Sequence, residues 1–238
     1  MKENIINGLK LFLKIIVVNI MCFFVVMSFS VLITAVSTKN IGYTAFGTTS
    51  DSSEVTELYT YYYEDGEDTK KAEYTEQGYT VTERSIRSQM SSGGTAAFLI
   101  ISQIFCLLIL FSFIYPNIWH IGTKDSNLVR FKHKKEDKLK GLKIGLVAAA
   151  PFYLFLILIA AAKFLMPSFP MVLYKFLNSA FYSFIDIICG TATAGSLAPW
   201  RLALLFVLPL IIPLISGVAY LLGYKNISVG EKFVYKKK

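Results

Sequence analysis

Few residues in this chain have types and spacings that could do chemistry. Asp186 and Arg201 come nearest. They flank the start of the last hydrophobic block, where a carboxylate and a guanidinium could pair. Ionisable groups are expensive to bury in a membrane, so such a pair is a functional candidate. The plainer reading is that both face lipid headgroups. A second group is the stripe Lys175, Asn178, Ser179, Tyr182, Ser183 and Asp186, whose spacings of three and four repeat the helical period. Two neutral amides, Asn19 and Gln103, lie inside hydrophobic blocks. Hydrogen bonding between helices explains them more simply than transport does.

Other chemistries are missing from the pattern. There is no HExxH, no G-x-S-x-G, no Walker A sequence and no G-x-G-x-x-G loop. A paired-acid protease needs two facing carboxylates, and Asp186 has no acidic companion within a hydrophobic block. Cys22, Cys106 and Cys189 are scattered, which suits small buried hydrophobes better than a disulfide or zinc framework. His120 and His133 fall in a basic segment and read as solvated surface. These observations imply no catalytic residues, no metal site, no cofactor and no enzyme.

The elements that must position the polar groups are hydrophobic blocks. The composition is 54% hydrophobic, above the roughly 45–50% of soluble proteins. The excess sits in four blocks, residues 11–36, 96–119, 144–166 and 199–224, each long enough to cross a bilayer with about 20 residues. Tyr115, Pro116 and Trp119 end the second block as an interfacial group. Pro151, Pro209 and Pro213 predict kinks. The alanines 148–150 and 160–162 predict close helix contact. Lys14 and Lys163 sit near block ends, from which they can snorkel.

Charge sets the orientation. Bases crowd the N-terminal flank, the segment 120–143 and the tail 225–238, all short stretches beside block ends. The positive-inside rule then places both termini in the cytoplasm. The net charge of +8 follows from this clustering, which suits anionic headgroups and argues against nucleic acid. Within residues 167–198, between the third and fourth blocks, the stretch 169–189 is apolar enough to suggest a fifth crossing. That crossing would put the basic tail outside. The polar stripe favours an amphipathic helix that lies in the interface or re-enters.

Residues 37–95 fall outside and are rich in acids. Val55–Glu64 has strand-like composition, with Tyr59, Tyr61 and Tyr63 alternating onto one face. Asp65-Gly66 signals a hairpin, with return strands expected at 69–76 and 79–84 and linkers at 47–53 and 91–95. The tyrosine face is a candidate contact surface.

The expected fold is therefore an all-α integral membrane protein. It has four transmembrane helices, an interfacial or re-entrant amphipathic helix and a small extracellular antiparallel β meander. Twenty lysines against four arginines suggest a bacterial cytoplasmic membrane. The expected role is a non-catalytic accessory, assembly or interaction subunit, partnered by anionic lipid and by a membrane protein or a second copy. A subunit of an oligomeric channel or permease is the alternative.

Overall fold

The computed structural model describes residues 2–49, 52–66, 68–133, 135–190 and 193–228. Its elements run α1 (Lys2–Ser37), β1 (Asn40–Thr49), β2 (Ser52–Tyr62), α2 (Lys70–Glu76), β3 (Tyr79–Arg87), α3 (Ser92–Arg130), α4 (Lys140–Leu165), α5 (Met171–Leu177), α6 (Tyr182–Cys189), α7 (Pro199–Val207) and α8 (Ile211–Tyr224), with 3₁₀ turns at Tyr63–Asp65, Ser179–Phe181 and Leu208–Leu210. The basic tail from residue 229, together with Asp51, Glu67 and Lys134, lies outside the described residues. The chain divides into two compact units, Met1–Phe29 with Leu99–Lys238, and Ser30–Phe98.

Four helices are long and apolar enough to cross a membrane: α1, α3, α4 and the run Pro199–Tyr224. Two exceed their hydrophobic blocks. The second block was expected to end at Trp119, yet α3 continues through Pro116 to Arg130. Near that proline the Asn117 side chain donates to the Phe113 carbonyl, which supplies a hydrogen bond in a turn that Pro116 weakens. The last span is broken by a 3₁₀ turn around Pro209, the local tightening expected where a ring displaces the α-helical ladder.

Glycine, more than alanine, sets the helix approaches. A Cβ on Gly223 would lie 2.1 Å from the Trp119 carbonyl oxygen, and one on Gly122 would lie 2.4 Å from that of Tyr220. Only a bare Cα lets α3 and α8 approach so closely. Gly141 and Gly145 do the same for α4 on α8, their Cβ positions falling 2.2 Å from Tyr220 Cβ and 2.4 Å from Pro213 Cα. Two hydrogen bonds lock the α3–α8 contact. Trp119 Nε1 donates to the Ile227 carbonyl at 2.9 Å, and Thr123 Oγ1 to that of Gly223 at 3.2 Å. Of the alanines, Ala148 and Ala149 are fully buried while Ala150 is exposed.

The second unit is a three-stranded antiparallel sheet of order β2-β1-β3. This corrects the meander in three ways. Residues 40–49, the last three of which read as linker, form the central strand. Residues 69–76, expected as a return strand, hold the helix α2, in keeping with the helix formers Lys70, Lys71, Ala72 and Glu73. Asp65-Gly66 ends a 3₁₀ turn, with Gly66 at φ +97°, and leads toward α2 instead of into a hairpin.

The tyrosines form this unit's core. Tyr43, Ala45 and Tyr59 are buried, with Leu58, Tyr61, Tyr74 and Val81 packed around them. Tyr74 of α2 stacks on Tyr59 with ring centroids 5.5 Å apart. Asp68 joins the layers: it accepts from the Tyr43 and Tyr59 hydroxyls, the latter at 2.8 Å, and from the Lys70 backbone N–H at 3.1 Å. Burial, then the neighbouring Glu83, pushes the Tyr59 phenol above its ordinary pKa, so it stays protonated as the donor Asp68 requires.

Candidate functional site

The segment between α4 and α7 carries the polar stripe, and its shape differs from expectation. In place of one amphipathic helix there are two short ones, Met171–Leu177 and Ser179–Cys189, bent by 99°. The break falls at Asn178, whose side chain folds back to donate to the Tyr174 carbonyl at 3.1 Å. Entry and exit of the elbow are tied together. Pro170 bridges Thr193, Ala194 N donates to the Phe169 carbonyl at 2.9 Å, and Gly195 N donates to that of Pro167 at 2.9 Å. Lys163 donates to the Leu197 carbonyl at 2.8 Å and so ties α4 to the segment that leaves the elbow. Gly190, at φ +58°, makes the reversal after α6 in a conformation that suits glycine.

A bend of this size strips backbone groups of their helical partners, which is intolerable in an apolar surrounding unless something replaces them. The two intramembrane amides do so. Asn19 Oδ1 accepts from Ala180 N at 3.0 Å. Gln103 Nε2 donates to the Ala180 carbonyl at 2.9 Å, while its Oε1 accepts from Ser183 N at 3.2 Å. The Ser102 and Ser183 hydroxyls meet at 3.1 Å. The stripe therefore faces the protein: Lys175, Asn178, Ser179 and Ser183 are buried, whereas Tyr182 and Asp186 are half-buried. A period of three and four reports that polar groups share a face. It does not report whether that face meets water or other polar side chains.

Asp186 takes Lys175 as its partner, not Arg201. The Lys175 ammonium lies 2.6 Å from Asp186 and also donates to the Gly190 carbonyl, at the C-terminal end of α6 where a cation is favoured. Arg201 lies over the Trp200 ring at 5.2 Å. The bend explains the choice, because it folds Lys175 back onto the helix that carries Asp186.

A second charged cluster was not anticipated. Lys140 is 2% exposed and lies 2.7 Å from Asp125 and 2.8 Å from Glu3. Tyr220 donates to Asp125 at 3.0 Å. Lys140 and Asp125 both fall within the basic segment 120–143, which the sequence places between the second and third blocks. The available signal was Gly122 three residues before Asp125 and Gly141 beside Lys140, small residues that mark both as contact faces. The structure also brings Cys22 and Cys106 together, each thiol directed at the other's carbonyl at 3.7 and 3.9 Å. Comparison with protein-family models, curated proteins and solved structures finds no match.

Beside the elbow lies a cavity of about 270 Å³ bounded by α1, α4 and the end of α5. Aromatic pairs wall it: Phe12 meets Phe152 edge-on at 5.6 Å and Phe23 meets Phe176 at 4.6 Å. Pro151 and Phe155 complete the α4 side, and Asn19 and Asn178 are its polar lining. Among the described residues no group of three His, Cys, Asp or Glu side chains could hold a metal. What the arrangement does chemically is hold a bent segment, through amides and one ion pair.

Replacing Gln103 with leucine tests that role. Interhelical hydrogen bonds in membranes average only about 0.6 kcal/mol, because alternatives exist. The Ala180 carbonyl and the Ser183 N–H lie at a helix break with no helical substitute, so the larger penalty of about 1–3 kcal/mol for a stranded buried group governs. The variant should unfold at lower denaturing-detergent fraction, and a cysteine placed at Ser183 should become reactive to thiol reagents. An unreactive cysteine with unchanged unfolding would mean that the clamp does not hold the bend.

Proposed function

We propose that this chain is a multi-pass protein of the bacterial cytoplasmic membrane that acts by contact, as a non-catalytic accessory, assembly or interaction subunit. The observation carrying this reading is where the buried polar groups are used: Asn19, Gln103, Ser102, Lys175 and Asp186 all bond to the elbow segment itself or to each other. The reading takes the elbow as re-entrant. Its entry and exit pair at 167–170 and 193–195, which supports an excursion that returns to the side it left. Four crossings then keep both termini on one side, and the flanking lysines support the cytoplasm as that side. There they meet anionic headgroups. The sheet unit falls outside the membrane.

The contact surface follows from the sheet. Tyr59 stacks on Tyr74 of α2 and Tyr61 packs against Tyr43, which leaves Tyr63, 55% exposed, as the member of the tyrosine set available to a partner. The opposite face carries Thr60, Tyr62, Thr80, Thr82 and Arg84, all exposed. An exposed, threonine-rich face between two edge strands suits recognition by another protein or a second copy. A photo-crosslinking residue at Thr82, read against one at Glu73 on the covering helix, tests this in native membranes. A discrete adduct from Thr82 alone supports the contact role, with its mass separating self-association from a different partner. No adduct from Thr82, Thr60 or Tyr63 would remove the basis for the reading.

A second reading, a subunit of an oligomeric channel or permease, is favoured by one observation: two half-helices meeting at a bend with a charged pair beside it. On that reading the purified protein passes solute in liposomes, and Lys175→Ala or Asp186→Ala alters the flux.

A further inference from the structure

Two lysines near the start of α1 sit where no acidic side chain offsets them among the described residues. Lys10 and Lys14 are four residues apart, so they share one face of the helix, where like charges repel. Both line a cavity of about 230 Å³ between α1 and α3, together with Asn7 and Asn117, over a floor of Ile118 and Ile121. Glu3 lies on the same helix face, seven residues before Lys10, but it is engaged with Lys140 of α4. Lys14 donates to the Asn117 side-chain oxygen, a neutral acceptor that orients the ammonium without neutralising it. Asn117 is itself held, since its Nδ2 donates to the Phe113 carbonyl at 2.5 Å. Lys10 makes no ion pair or side-chain hydrogen bond among the described residues.

We propose that this groove is a binding site for the phosphate of one anionic phospholipid. An anion at the two lysines offsets their repulsion and gives Lys10 the partner it lacks. Lysine binds phosphate as a point charge, and Asn7, three residues before Lys10, can add an amide N–H. At about 230 Å³ the cavity is several times the roughly 30 Å³ that one water takes up, so it suits a polyatomic group over a single small ion. The lipid is favoured over a soluble phosphate by what lies beyond the lysines. The same face of α1 continues at spacings of three and four as Val17 and Met21, 49% and 40% exposed. Acyl chains have that apolar stripe to lie on, whereas a free phosphate would not use it. Depth agrees as well. Lys10 and Lys14 straddle the start of the first apolar block, and Asn117 falls between Tyr115 and Trp119 at the end of the second, which is headgroup level. Basic pockets between spanning helices are a known form of discrete headgroup site. The inference deepens the membrane reading above and rests on it, because α1 and α3 must cross the bilayer. It narrows the diffuse attraction of basic flanks to one stoichiometric site.

The test uses the full-length protein, floated with vesicles of phosphatidylcholine containing phosphatidylglycerol, then extracted in mild detergent and weighed by native mass spectrometry. One phosphatidylglycerol per chain is expected to stay bound after phosphatidylcholine is lost. Lys10→Gln, which leaves the contact between Lys14 and Asn117 in place, should lower that retention about fivefold, the factor that matches roughly 1 kcal/mol for one lysine at an anionic surface. Lys10→Gln combined with Lys14→Gln should lower it about 25-fold on the same scale. Lys14→Arg keeps the charge and should keep the lipid. The control pair Lys2→Gln and Lys124→Gln removes the same charge outside the groove and should leave retention unchanged. Equal loss in the two double variants would overturn the site, because net charge alone would then explain the binding. Displacement of the lipid by excess inorganic phosphate would assign the groove to a soluble phosphate and overturn the phospholipid as occupant. Protein that floats yet retains no phosphatidylglycerol would overturn the proposal alone, whereas protein that fails to float would remove the membrane reading with it.

Discussion

Replacing Lys140 with methionine is expected to destabilise the helical unit by about 3–5 kcal/mol, the cost of removing one partner from a buried ion pair. The Lys140 and Asp125 side chains are 3% and 5% exposed, so solvent screening does not dilute the effect. Glu3, the other carboxylate on Lys140, is 59% exposed and contributes on the scale of a surface pair, at most about 1 kcal/mol. This ordering makes the test sharp. Lys140→Met should lower the midpoint of thermal unfolding in detergent far more than Glu3→Gln. The double variant Lys140→Met, Asp125→Leu should regain most of the loss, because a buried pair replaced by apolar groups of similar volume is often neutral or better. Tyr220→Phe, which removes the hydroxyl donated to Asp125, should cost about 1 kcal/mol. Equal losses for Lys140→Met and Glu3→Gln, or a double variant no better than the single, would mean that the pair does not join these helices.

This cluster lies where the sequence shows only a basic segment, 120–143, between two apolar blocks. Hydropathy located all four apolar helices, because lipid-facing surface is a local property of each segment. It placed the end of α3 too early, since a helix need not stop where its apolar run does. Asp125 and Lys140 looked like loop charges because neither carries a mark of the other. Only the glycine-mediated approaches of α3 and α4 to α8 bring them into one dry contact. The elbow follows the same logic. Its period was legible, and Asn19 and Gln103 stood out as amides. That these amides answer the elbow's backbone is a long-range fact that no window on the sequence contains. In the sheet unit, the central strand β1 was hidden by its glycines. Gly42 would place a Cβ 2.0 Å from the Tyr61 carbonyl oxygen, and Gly47 would place one 2.7 Å from Leu58 and 2.8 Å from Tyr79. A strand flanked that closely needs residues that strand propensity disfavours, so its last three residues resemble a linker. Tyr59 and Tyr61 alternate along β2 as expected, but Tyr59 is covered by Tyr74 of α2, and Tyr63 falls in the 3₁₀ turn beyond the strand and stays exposed.

Gly223→Val should be the most damaging single change in the helical unit that alters no charge. The alanine-sized Cβ alone would sit 2.1 Å from the Trp119 carbonyl oxygen and 2.9 Å from its carbonyl carbon. Backbone atoms cannot rotate aside as a side chain can, so α3 and α8 must separate. Separation also stretches the Thr123 hydrogen bond to the Gly223 carbonyl and the Trp119 bond to Ile227. It draws Tyr220 away from Asp125 as well. Overpacking a close contact costs about 1–3 kcal/mol. The coupled loss of these hydrogen bonds raises the total toward the 4–5 kcal/mol that marks exceptional substitutions. Gly217 on the same helix is the control, because a Cβ there would meet nothing closer than Leu142 at 3.7 Å. Gly217→Ala should therefore leave the unfolding midpoint unchanged or raise it slightly, as the better helix former. If both variants lower the midpoint equally, the penalty reflects glycine content in α8 in general. If only Gly223→Val does, and Trp119 fluorescence shifts with it, the close approach of α3 to α8 is what holds the charged cluster dry.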